Sequence, residues 1–69
     1  MIQMERDVAE RISALMEHII AELDTSIHLV KEKSPDDFIQ YRLAAGRIMG
    51  YIDIEILSPI HRDYPDLSV

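Results

Sequence analysis

Apolar residues recur every three or four positions through the first half of the chain: Val8, Ile12, Leu15, Ile19, Leu23, Ile27 and Val30. That spacing marks one face of an α-helix, and Met16 and Ile20 widen it. Arg6, Glu10, Glu17, Asp24 and Lys31 fall on the other side, as a solvated face requires. Acidic residues come early, and Lys31 and Lys33 come late, which suits the helix dipole. The pattern predicts a first helix over about 2–33. At 1.5 Å per residue this is a rod roughly 45 Å long.

Ser34-Pro35-Asp36-Asp37 interrupts the pattern. Pro35 disfavours helical geometry at Ser34 and fits the first turn of a following helix. Ser34 is placed to cap that helix, with Asp37 as the acid of a capping box. A connection this short makes two helices antiparallel neighbours.

The second helix is predicted over about 35–57 and carries two apolar stripes. One is Phe38, Tyr41, Ala45, Ile48, Ile52 and Ile56; the other is Ile39, Leu43, Gly46, Gly50, Ile54 and Leu57. They are offset by about 100° around the helix. Together they exceed what one partner helix buries, so the second stripe is expected to meet something else. Gly46 and Gly50 each cost about 1 kcal/mol against Ala in a helix interior. Four residues apart, they either open a groove for a close backbone approach or mark a kink or simple tolerance.

Pro59 is expected to stop the second helix. The remainder, 58–69, has no period and reads as an extended arm anchored by Ile60, Tyr64, Leu67 and Val69. The first helix outruns the second by about two turns. The arm therefore either folds back over Met4 and Val8 or reaches a neighbouring subunit. The expected fold is all-α, a two-helix antiparallel hairpin over 1–57 with an extended C-terminal arm over 58–69.

Composition sharpens this picture. The chain has 69 residues, no Cys and no Trp, so its core must be aliphatic and no disulfide or Cys-based zinc site can support it. Chains this small sit near zero net stability, because burial at about 25 cal/mol/Å² barely offsets an ordering cost of about 1.5 kcal/mol per residue. Self-association or docking on a partner is the expected source of further burial. The net charge of -6 disfavours nucleic-acid binding. Met1–Asp7 lacks a basic stretch leading into an apolar run, so no signal peptide is expected. No apolar run approaches the roughly 20 residues of a membrane span.

Candidate chemistry is sparse. His18 with Glu22, and Asp24 with His28 and Glu32, share helix faces, but a metal needs three or four converging ligands. His61-Arg62-Asp63 echoes a kinase catalytic loop, yet Ser68 stands where that motif needs Asn. Ser13, Ser26, Ser34, Ser58 and Ser68 lack the glycines of a nucleophile elbow, and no Gly-rich phosphate loop occurs. No catalytic residue, cofactor, metal or small-molecule substrate is expected. Arg42 and Arg47 either form ion pairs across an interface, pair with Glu22 or Asp24, or face water.

The stretch Tyr41-Arg42-Leu43-Ala44-Ala45-Gly46-Arg47-Ile48-Met49-Gly50-Tyr51-Ile52 resembles a Tyr-Arg-x3-Gly-Arg-Ile-x-Gly pattern. The pattern occurs on the second helix of small acidic helical-hairpin proteins encoded by tailed bacteriophages, often near virion structural genes. The resemblance stops at about Leu57. It implies phage origin and a place in the virion, assembled in the host cytoplasm. It makes Gly46 and Gly50 helix-packing positions and Arg47 a polar contact.

These readings converge on a non-enzymatic phage structural or assembly protein, a homo-oligomer that also docks on a larger capsid, portal or tail component. The expected interface comprises Ile39, Leu43, Gly46, Arg47, Gly50, Ile54 and Leu57 of the second helix, with Ile60, Tyr64 and Leu67 of the arm. The alternative is a small acidic adaptor or inhibitor that occupies a basic protein surface.

Overall fold

The computed structural model describes residues 4–68, all of them helix, turn or short connection. The predicted helical start at Ile2 and the anchor at Val69 lie outside the described residues. Helix α1 spans Arg6–Lys33, with Asp7 in its first turn and Lys31 and Lys33 in its last. It is the long axis of a molecule 44 Å in extent.

The turn lies where Pro35 places it, but it closes through the backbone. Ser34 N–H donates to the Val30 carbonyl at 2.8 Å, and Asp37 N–H donates to the Ser34 carbonyl at 2.9 Å. No side-chain cap forms at Ser34 or Asp37, contrary to the predicted capping box. A 3-10 turn over Pro35–Asp37 separates Ser34 from helix α2, Phe38–Ile52. That turn sets Ser34 too far upstream to reach the first free N–H groups of α2.

Pro59 does not end the second helical rod. Asp53–Leu57 form a π turn, closed by Ser58 N–H donating to the Asp53 carbonyl, and helix α3 follows over Ser58–Asp63. A proline inside an α-helix lacks the N–H that would bond four residues back, and its ring meets that carbonyl. The wider π turn ends at Leu57, two residues before Pro59, where the hydrogen-bond ladder is already out of α register. The rod bends and continues to Tyr64. There a second boundary of the same kind as Ser34-Pro35 occurs: Tyr64 takes φ -133°, ψ 74°, and Pro65–Leu67 form a 3-10 turn.

The arm is therefore mostly helical rather than extended, and it folds back. Tyr64 Oη donates to the Met4 carbonyl at 2.8 Å. Arg6 and Asp66 form a two-pronged ion pair, with Arg6 Nη1 donating to Asp66 Oδ1 at 3.0 Å. Nearer the turn, Tyr41 Oη donates to Ser26 Oγ at 2.8 Å, and Phe38 lies beneath both Lys31 and Arg42. Between these points the two rods run antiparallel.

Among the described residues, Ala9, Ser13, Ala45, Leu57 and Ile60 are buried. Ala9 and Ala45 are small, which lets the rods approach closely. On α1 the inward line runs through Ala9, Ser13, Met16 and Ile20 before rejoining the predicted Leu23, Ile27 and Val30. Val8, Leu15 and Ile19, predicted to face inward, are exposed. The apolar arc of α1 is wider than the seam, and the seam takes the side that bears small residues, where Leu57 and Ile60 supply the bulk.

Candidate interaction surface

The second stripe of α2 faces away from α1. Ile39, Leu43 and Ile54 are 59%, 53% and 65% exposed. Ile39 and Ile54 are separated by about 22 Å along the helix axis at 1.5 Å per residue. Gly46 is exposed and Gly50 half-buried on the same stripe. Neither glycine has positive φ, and a methyl group added to either would meet nothing within 4 Å. Neither backbone geometry nor internal packing calls for glycine at these positions. Arg47 is exposed beside them.

Leu57 and Ile60 depart from the expected interface: both are buried in the seam. The π turn is the cause. One extra residue in the turn rotates everything after it by about 100°, one helical residue's worth. Leu57 thereby leaves the line of Ile54 and joins the inner face. Tyr64 and Leu67 are half-buried beside the start of α1, within the folded-back tail.

A second exposed apolar set was not legible from spacing. Ile48 belongs to the predicted inward stripe, yet it is exposed, as is Tyr51. On a helical wheel centred on Ala45 they lie on the flank opposite the glycines, on the same side of the hairpin as Leu15 and Ile19. The signal available in the sequence was Ala45 itself, since a small residue marks the line of closest approach.

The charged residues near α2 are free of strong partners. Among the described residues, Arg42 and Arg47 form no ion pair, either with Glu22 or Asp24 or with any other acid. Arg42 instead stacks over Phe38 at 5.8 Å. Asp53 and Glu55 likewise have no basic partner among the described residues. The hydrogen bond from Arg6 holds the Asp66 carboxyl below its ordinary carboxylate range and raises Arg6 in turn.

The remaining polar groups converge little. Ser13 Oγ lies 3.3 Å from His61 Nε2, a pair that sequence reading missed because the two residues are far apart in the chain. Ser13 is buried in the seam, so its hydroxyl ties the rods together and is not presented to a substrate. His28 Nδ1 sits 2.9 Å from the Asp24 carbonyl oxygen and 3.7 Å from the Asp24 carboxylate. Among the described residues no three His, Asp or Glu side chains group as metal ligands. An open groove between the rods is lined by Glu17, Ile20, Ala21, Asp24 and Met49. No helix among the described residues is long and apolar enough to cross a membrane.

No protein-family model, curated protein or solved structure matches the chain.

Proposed function

We propose that this chain is a non-enzymatic assembly protein of a tailed bacteriophage, a hairpin that associates with itself through α2 and docks on a larger virion protein. The observation that carries the reading is the outer face of α2. It exposes Ile39, Leu43 and Ile54 around two glycines at which an added methyl group would meet nothing within 4 Å. Large apolar side chains left exposed along one face of a helical rod mark an interaction site. The small buried core, Ala9, Ala45, Leu57 and Ile60, gives the same face a thermodynamic role, since burying it adds what the hairpin alone lacks. The phage context rests on the Tyr41–Ile52 pattern.

Two measurements test this. Light scattering on the purified chain, with circular dichroism on the same fractions, is expected to give a helical oligomer. Mass spectrometry of purified particles of the source phage is expected to detect the chain, and its absence there would remove the virion part of the proposal.

The second reading is an acidic adaptor. It is favoured by the net charge of -6 and by the groove that Glu17 and Asp24 help to line, which suits a basic segment. It predicts a monomer that forms a salt-sensitive one-to-one complex with a soluble protein.

A further inference from the structure

The outer face of α2 carries information about the direction of its partner. Arg42 and Asp53 are exposed and lie eleven residues apart, so they share one flank of the apolar stripe about three helical turns from each other. Neither is engaged in an ion pair among the described residues. The stripe itself is nearly symmetric about its own centre. Ile39 and Ile54 stand at its ends, and Leu43 and Gly50 stand between them; both pairs share a midpoint beside Gly46 and Arg47.

We infer that a second copy of this chain docks on the first with the two α2 helices antiparallel, related by a two-fold axis beside Gly46 and Arg47. The inference rests on the self-association proposed above. In this arrangement Ile39 meets the partner subunit's Ile54, and Leu43 enters the space left by the partner subunit's Gly50. Antiparallel helices place like flanks on the same side of their seam. Arg42 then lies within about two residues' rise, roughly 3 Å along the axis, of the partner subunit's Asp53. The symmetry makes that contact twice. The axis also brings Arg47 beside the partner subunit's Arg47, one like-charged contact against the two Arg42–Asp53 contacts, whereas parallel pairing in register leaves Arg42 and Asp53 about five and six residues' rise from the partner subunit's Arg47. Charge complementarity selects the antiparallel partner, and the apolar stripe supplies the contact.

The test uses the absence of native cysteine. Ile39→Cys and Ile54→Cys are made separately in the full chain, then mixed and oxidised. The expected result is a disulfide between the two variants in the mixture and none within either variant alone, because each residue meets the other and not itself. In parallel, Arg42→Asp is expected to weaken dimerisation about tenfold or more, a shift of about 1.4 kcal/mol. Adding Asp53→Arg is expected to restore it, with helicity unchanged throughout. A light-scattering monomer for the unmodified chain overturns both the self-association reading and this inference. A dimer in which each variant cross-links to itself overturns the antiparallel arrangement alone. A dimer with no cross-link in any sample, or no rescue by the double reversal, places the interface on another face and likewise overturns it alone.

Discussion

Tyr64 donates a 2.8 Å hydrogen bond to the backbone carbonyl of Met4, sixty positions earlier in the chain. This contact closes the open end of the hairpin, which no covalent turn holds. The Arg6 guanidinium also lies over the Tyr64 ring at 5.8 Å while it grips Asp66, so one aromatic side chain and one ion pair fasten the tail to the first turn of α1.

Tyr64→Phe keeps the ring and removes the hydroxyl. It is expected to cost about 1 kcal/mol, the worth of a typical hydrogen bond. In a chain this small that lowers the melting temperature by about 4–8 °C. Thermal unfolding followed by circular dichroism measures it, and an unchanged melting temperature would show that the hydroxyl bond adds nothing to stability.

The Arg6–Asp66 pair gives the tail a pH dependence. The folded-state pKa of Asp66 is lowered, chiefly by the hydrogen bond from Arg6. Such a group stabilises the fold above its unfolded pKa of about 3.9, and that contribution disappears as pH falls through the lower folded value. Amide protection at Tyr64–Ser68, taken relative to intrinsic exchange at each pH, should therefore be highest at neutral pH and fall as the pH is taken below about 4. Asp66→Asn should abolish that pH step. Both side chains are about half exposed, so added salt should weaken the pair as well.

Gly46→Ala and Gly50→Ala separate folding from assembly. Each new methyl group meets open space within the chain, so helix propensity should raise the stability of the isolated hairpin by up to about 1 kcal/mol per site. The same methyl groups should weaken self-association. Chemical denaturation at low concentration reads the first effect, and sedimentation over a concentration series reads the second. A stabilised variant that assembles as before would deny the glycines any role in close approach.

Leu57→Ala and Ile54→Ala make a matched pair three residues apart. Leu57 is buried in the seam, and its truncation should destabilise the fold by about 2–5 kcal/mol. Ile54 is exposed, and its truncation should leave monomer stability within about 0.5 kcal/mol while reducing association. Equal destabilisation by both would contradict the rotation imposed by the π turn.

The hairpin was readable because its determinants are local. Pro35 sets the turn, and the three- and four-residue spacing sets both rods. The inward line of α1 was less readable, since Val8, Leu15 and Ile19 keep perfect helical spacing and are nonetheless exposed. Periodicity identifies an apolar arc. Which part of a wide arc is covered depends on the rod opposite. The outer stripe from Ile39 to Ile54 followed from spacing because α2 is regular as far as Ile52. Leu57 and Ile60 did not follow, because no residue between Asp53 and Leu57 announces a π turn by type. Pro59 was misread for a related reason. A proline stops a regular helix, and the rod is not regular there.

The π turn has a consequence for how the chain can vary. It works as a phase shift between two halves of one rod. Upstream of it, residues in the line of Ile39 and Leu43 are offered outward; downstream, residues that would have continued that line are kept for the hairpin's own seam. Tightening Asp53–Leu57 to α register with all five residues kept would turn Leu57 and Ile60 out to solvent and empty the seam beside Ala9 and Ser13, whereas removing one residue would give an unbroken α-helix with both still facing inward. The turn thus absorbs one residue of chain length without disturbing the seam, and it is loss of the wide turn at constant length that would exchange the inside of the protein for its outside.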